Sequence, residues 1–336
     1  MNHKVKIAVD AMGGENAPKK IIDGINISLK KNHDNYFFLV GDSDLITENV
    51  KKNNLINNNS EIIHANTVIS DDESPLTAAK KGKETSMWKA IELVKNKKAD
   101  IALSAGNTGA MLVMSRLILN TIEGINKPAL AGLWPNKNNM NIVLDLGANI
   151  ECDEKNLCDF ASMGAALFKS LYQNEKPKVA LLNVGLEEYK GNETLKKTFA
   201  IMKKSVIKNF EFVGYIEGNH IMDGEVDVII TDGFTGNVAL KTAEGTANFI
   251  TSNLKKSLNK LSMLLSYTSL KKFKNKLDPR KYNGAIFLGL QSPLVKSHGG
   301  TDSIGFAHSI NVCNQIVKSD LIHRIKSNLI TIDDKI

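Results

Sequence analysis

The chain of 336 residues predicts an α/β fold, a mostly parallel sheet with helices on both faces. Three observations carry this. Apolar runs of strand length alternate with segments of helical spacing along the whole sequence. Four of those runs end in glycine-containing loops placed where a strand hands over to a helix. No Pro/Gly/Ser-rich linker separates independent units, so residues 1–336 form one two-lobed α/β domain.

In order, Val5 to Val9 predicts a strand and Asp10 to Pro18 a glycine turn, with Pro18 suiting the first turn of a helix to about Lys31. Tyr36 to Val40, Glu61 to His64 and Asp100 to Leu103 continue the strands, with a helix over Thr85 to Lys97. Helical spacing follows over Met111 to Asn120, Leu157 to Tyr172, Glu193 to Lys208 and Val238 to Leu258. Later strand candidates are Ala129 to Leu133, Asn141 to Leu144, Lys178 to Leu182, Phe210 to Val213, Val226 to Ile230 and Ala285 to Leu290. Asn53 to Ser60, Asp71 to Pro75 and Pro135 to Asn139 predict loops.

The four glycine loops are Ser104-Ala-Gly-Asn-Thr-Gly109, Asp145-Leu-Gly-Ala-Asn149, Asn183 to Gly191, and Asp232-Gly-Phe-Thr-Gly-Asn237. Glycine lets backbone N–H groups approach a ligand, and the helix N-terminus beyond favours an anion. The expectation is that all four converge on one polar crevice. Gly106 and Gly109 permit a tight turn around Asn107 and Thr108. If a helix begins near Gly236, Asn237 and Lys241 share one face. Glu187 and Lys190 lie in the third loop, and Lys296 and His298 stand on a further glycine loop after an apolar strand.

No dinucleotide fingerprint, Walker A motif or nucleophile elbow is present. The three cysteines, Cys152, Cys158 and Cys313, show no metal-ligand spacing. No cofactor and no metal are expected. The start lacks a signal-like apolar region and no run is long enough to span a bilayer, so a cytoplasmic location is the expectation.

The formal charge of +7 is local. Seven lysines and no acid lie between Leu254 and Leu277, so a diffuse nucleic-acid surface is not expected. Leu254, Leu258, Leu261 and Leu265, then Leu270, Phe273 and Leu277, recur at helical spacing. The stretch 250–280 therefore predicts an inserted amphipathic basic element. Lys255, Leu258, Leu261, Leu265, Lys271 and Lys272 are its candidate contacts with an anionic membrane surface or an acidic partner. Packing on the core or on a dimer partner is the alternative.

Seven ordered motifs resemble the bacterial phosphate acyltransferase family, the acyl-carrier-protein:phosphate transacylases of phospholipid synthesis. They are Ile7 to Pro18, Ser104 to Ala110, Val143 to Asn149, Asn183 to Asn192, Asp232 to Lys241, Tyr282 to Ala285 and Val295 to Gly299. Three stretches depart from the family pattern: Leu186 in place of a glutamate, Glu217 to His220, and Lys81 to Met87. The resemblance implies a fold similar to the phosphotransacetylases and isopropylmalate-dehydrogenase-like enzymes. It implies transfer of a fatty acyl group from acyl carrier protein to inorganic phosphate by a homodimer, peripheral on the inner face of the cell membrane. A glycerol-3-phosphate acyltransferase would be the downstream partner.

For that reaction the candidate catalytic residues are Asn107, Lys190, Asn237, Lys241 and His298. Ser104, Gly106, Thr108, Gly109, Asp145, Asn149, Asn183, Glu187, Asp232, Gly236 and Lys296 are the candidate substrate-binding residues. Two other readings compete: a phosphotransacetylase-like enzyme acting on short acyl-CoA, and a non-catalytic scaffold that binds acyl carrier protein at the membrane.

Overall fold

The computed structural model describes residues 4–31, 34–51, 53–172, 176–257, 268, 278–327 and 329. Its strands are β1 (Val5–Asp10), β2 (Asn35–Gly41), β3 (Ser60–His64), β4 (Ile101–Ser104), β5 (Ala129–Pro135), β6 (Met140–Leu144), β7 (Lys178–Asn183), β8 (Glu211–Glu217), β9 (Val228–Ile230), β10 (Ala285–Leu288) and β11 (Leu294–Lys296). They form one sheet in the order β3-β2-β1-β4-β11-β10-β5-β6-β9-β7-β8. The helices are α1 (Lys19–Lys31), α2 (Ser43–Val50), α3 (Asn54–Asn57), α4 (Pro75–Lys81), α5 (Ser86–Lys95), α6 (Thr108–Leu119), α7 (Glu154–Tyr172), α8 (Glu193–Lys204), α9 (Gly233–Ser257), α10 (Ser303–Lys318) and α11 (Leu321–Lys326).

Side chains alternate across a strand, so each strand serves two cores. Ile7, Val9, Ile101, Leu103, Ile142, Leu144 and Val295 join the core under α1, α7 and α10. Ala8, Ala102, Val143 and Leu294 join the core under α5 and α6, where Ala239, Leu240 and Ala243 of α9 also pack. Covering both faces explains why these strands are near-continuous apolar runs. The same alternation sends Asp10, Ser104 and Lys296, each two residues beyond a member of the second core, toward the α6 and α9 side.

The pairing divides the sheet into two parallel blocks. β1, β2, β3, β4 and β11 run one way. β10 and β5 are each antiparallel to their neighbours. Beyond them β6, β9, β7 and β8 run parallel to one another. Three successive reversals leave this second block opposed to the first. The carboxyl ends of β4 and β6 therefore lie at opposite edges of the sheet, which corrects the expectation of one crevice for all four glycine loops.

Local chemistry accounts for helices that the sequence reading did not predict. The stretch 53–60 holds α3, capped by Asn53, and the first residue of β3. Pro75 starts α4 behind the Ser74 cap, within the stretch read as a loop. Asp42 caps α2 and Asp302 caps α10. The α9 helix begins at Gly233, earlier than expected, because Asp232 holds both the N–H and the hydroxyl of Thr235. Among the described residues no helix is long and apolar enough to cross a membrane. Leu258, Leu261, Leu265, Lys271 and Lys272 of the expected basic element lie outside the described residues, as does the side chain of Lys255.

Candidate active site

At the carboxyl edge of the first block, three loops stack backbone on backbone. A Cβ at Gly13 would meet the amide nitrogen of Gly106 at 2.6 Å, and one at Gly14 would meet the carbonyl oxygen of Ala105 at 2.9 Å. The Glu15 N–H donates to the Gly299 carbonyl at 3.2 Å, and the Ser297 N–H donates to Ser104 at 2.9 Å. The buried Ser104 hydroxyl donates to Asp10 at 2.7 Å and accepts from the Gly106 N–H at 3.0 Å. Burial pushes the Asp10 carboxyl up, and the bond from Ser104 opposes that shift.

These loops frame a cavity of about 360 Å³ bounded by Asp71, Thr108, Gly109, Lys241, Lys296 and His298. Lys296 is 8% exposed, and its ammonium donates to Ala105 and Ser297 carbonyls. Burial brings its pKa down to about 8, opposed by Asp71 and assisted by the cations Lys20 and Lys241. Lys20 is also buried, donates to the Gly299 carbonyl, and has its pKa lowered by burial. The buried Lys296, with Lys20 near it and the exposed Lys241 at the cavity wall, favours an anion placed there.

His298 faces this cavity in a defined tautomer. Its Nδ1 accepts the Gly300 N–H at 3.1 Å, so in the neutral ring the proton resides on Nε2. Burial lowers the ring's pKa, with Lys241, Lys296 and Lys20 adding to the shift and Glu244 opposing it. The neutral ring therefore offers Nε2–H as a donor. The loop is held by buried Asn283, which donates to Ser297 and the Gly305 carbonyl and accepts the His298 N–H at 2.8 Å.

The Asn107 side chain does not face a ligand. Its oxygen caps α6 through the Ala110 N–H, and its amide donates to the Asp71 and Glu73 carbonyls at 3.0 and 2.9 Å. What the loop offers instead are the N–H groups of Thr108 and Gly109 at the α6 N-terminus, which meet no protein acceptor among the described residues. Gly109 packs under Pro75, where a Cβ would fall 2.6 Å from the proline ring.

At the other edge, the second and fourth loops bind each other. Asp145, buried, accepts N–H groups from Leu130, Gly147, Ala148 and Asn149 as well as the Asn149 amide. Asn149 also donates to Pro128, and its carbonyl accepts the Gly233 N–H at 2.7 Å. The Asn237 amide donates to the Leu146 carbonyl. A Cβ at Gly236 would meet the Asp145 carbonyl at 1.9 Å, so the residue is glycine for close packing of α9. In the third loop, Asn183 donates to Gly185 and Lys190 carbonyls, and Lys190 pairs with Glu187 at 3.1 Å near solvent. Asn107, Asn237, Asn149, Asn183, Asp145 and Asp232 thus brace loops with the polar groups expected to meet a ligand.

Lys241 joins the two edges. It shares a face of α9 with Asn237, as the spacing predicts, but α9 runs back along the sheet and delivers its ammonium to the first-block cavity. There it pairs with Glu244 at 2.8 Å. The sequence reading missed Lys20, Asp71 and Asn283 as site residues. Lys20 carried a legible signal, since it shares the buried stripe of α1 with Gly24 and Ser28.

The family described as Fatty acid synthesis protein matches residues 5–324. A phosphate acyltransferase of Pelagibacter ubique is 58% identical over 334 residues, covering 98% of this chain and 100% of that protein. One from Rhodopseudomonas palustris is 43% identical over 332 residues, covering 97% of this chain and 94% of its own. Among solved structures, a phosphotransacetylase from Streptococcus pyogenes matches with a TM-score of 0.61 at 15% identity, covering 95% of this chain and 94% of that one. A branched-chain phosphotransacylase from Enterococcus faecalis matches with a TM-score of 0.60 at 14% identity, over 94% and 99%. These two likenesses show a shared α/β fold.

Proposed function

The chain belongs to the phosphate acyltransferase family and is an acyltransferase, and we propose that it moves a fatty acyl group from acyl carrier protein to inorganic phosphate. The observation that carries this reading is the buried Lys296, set with Lys241 and the α6 N-terminus around one cavity and close enough to Lys20 to feel its charge. Phosphate bound there meets the Lys296 and Lys241 ammonium groups and the backbone N–H groups of the α6 N-terminus.

In the proposed reaction a phosphate oxygen attacks the thioester carbonyl, the C–S bond breaks, and the thiolate leaves. Monohydrogen phosphate brings the proton that the thiolate finally takes, so no proton need come from bulk water. His298 Nε2–H donates a hydrogen bond toward the developing negative charge and keeps its own proton, while the phosphate proton passes to the departing thiolate. Holding both reactants in one cavity supplies a large part of the acceleration, since well-oriented pairs gain ~7–11 kcal/mol. The thiols play no part: burial pushes Cys152 and Cys158 up to about 12, so neither is a thiolate near neutrality.

Peripheral attachment to anionic membrane fits the same proposal. The lysine-rich stretch from Leu254 to Leu277 supports it, as do Phe249 and Ile250, which stand exposed on α9 just before it. The decisive assay supplies purified palmitoyl carrier protein with and without phosphate and follows palmitoyl phosphate by mass spectrometry. Product that depends on both reactants is the expected result. Turnover of acetyl-CoA alone moves the assignment to short-chain chemistry, and no phosphate-dependent transfer at all removes it.

A further inference from the structure

Resting on that reading of the anion cavity, we propose that a trough between α6 and the first turns of α9 is the binding site for the acyl chain of the substrate. Two cavities border α6. The anion cavity meets its first turn at Thr108 and Gly109. A second, of about 490 Å³, lies along its later turns at Leu112, Val113, Arg116 and Leu117, with Pro128 and Asn149 opposite.

The two are ends of one helical face. Thr108, Leu112 and Arg116 follow one another at four-residue spacing, with Gly109, Val113 and Leu117 beside them at the same spacing. From Thr108 to Leu117 this face runs roughly 13 Å. It begins with unengaged N–H groups and becomes apolar before ending at Arg116.

The opposing wall repeats that polarity in reverse. The start of α9 is tied to the second cavity, because Asn149 lines it and accepts the Gly233 N–H. Two turns later Lys241 lines the anion cavity. Between these points Phe234 and Val238 stand four residues apart and are 62% and 51% exposed. Phe234, Val238 and Lys241 have the spacing of one helix face, apolar at the end where α6 shows Leu117 and cationic at the end where α6 shows its N-terminus.

A trough that is apolar at one end and anion-binding at the other fits a molecule with a hydrocarbon tail and an anionic or polar head. The thioester carbonyl would sit by Thr108 and Gly109, with the tail running along Leu112 and Val113 toward Leu117 and Phe234. Leu117 is 59% exposed as the chain stands, an apolar side chain whose burial by a fatty tail is favourable.

The test measures chain-length selectivity and direct binding on the purified full chain. Leu117→Trp should block the far end and Leu117→Asp should make it polar. Both should lower the ratio of palmitoyl to butyryl turnover by at least about tenfold, the cost of a few lost methylene contacts. Val206→Trp, on a side chain exposed away from the trough, is the control and should leave the ratio unaltered. In parallel, cis-parinaric acid fluorescence should report binding to the unaltered protein that palmitate displaces and that Leu117→Asp weakens. A ratio within twofold of the unaltered protein in both Leu117 variants overturns the trough. If no donor gives acyl phosphate at all, the transfer reading fails separately. The fatty-acid probe then decides alone, and equal binding by the unaltered protein and Leu117→Asp rejects the site.

Discussion

The two carboxyl edges of the sheet carry loops of the same look and opposite use. Around β4 and β11 two helical N–H groups and the Nε2–H of His298 are left open, beside Lys241 and Lys296, about one cavity. Around β6 and β9 the equivalent groups close on one another, with Asp145 gathering five hydrogen bonds. Glycine, asparagine and aspartate at a strand end mark close backbone approach in both places. What separates a ligand site from a brace is whether the polar groups already have partners. The brace still serves the site, because it fixes the start of α9 and thereby the position of Lys241.

The largest expected effect breaks the brace. Asp145→Ala strands several buried N–H groups at once, and each costs ~1–3 kcal/mol when left without an acceptor. A loss of at least about 3 kcal/mol in urea unfolding is expected, with a raised phosphate KM in whatever protein stays folded, because α9 carries Lys241. Normal stability would show that the second edge is not a brace.

The sheet, its two covered faces and most strands were legible because apolar runs leave little freedom. The direction of the second block was not. Antiparallel pairing of β10 and β5 is a long-range fact, and residues 129–135 and 285–288 look like any buried strand. Lys241, Lys296, His298, Thr108 and Gly109, which line the cavity, were legible as candidates from their glycine loops. Asn107, Asn149 and Asn237 read the same way, and nothing local says that their amides find carbonyls 34, 21 and 91 residues away. Lys20 was passed over because a lysine on a helix ordinarily faces water.

Next in size is Lys296→Met, which keeps the volume and removes the buried cation. A drop of about a hundredfold in kcat/KM for phosphate is expected, the lower range for losing one preorganised electrostatic contact. Stability should hold or rise, since a buried ammonium is costly to desolvate. A drop below threefold would place the anion elsewhere.

The same lysine sets a pH dependence of smaller size per unit. With its folded pKa lowered to about 8, the group loses its charge as pH rises through 8, and phosphate affinity should fall up to tenfold per unit above that. The stability contribution has the opposite sign. Between about 8 and the ordinary lysine value of 10.5 the unfolded chain holds the proton and the folded chain does not, so stability rises with pH across that window. In Lys296→Met both trends should disappear. Phosphate KM that stays flat from pH 7 to 10 would contradict the assignment.

The smallest effect separates the two jobs of Asn107. Its oxygen caps α6 and its amide holds the 70–74 loop against the cavity. Asn107→Ala removes both and should cost about 1 kcal/mol of stability, the usual worth of a cap. Asn107→Asp keeps a capping oxygen as good as the original but has no N–H for the Asp71 and Glu73 carbonyls. Stability should therefore recover in the aspartate variant while a raised phosphate KM persists, since the loop bearing Asp71 is released in both. Thermal melts and phosphate titrations on the pair distinguish the roles. If aspartate restores both quantities, the tether is idle; if it restores neither, the amide tether to the Asp71 and Glu73 carbonyls, and not the cap, carries the stability.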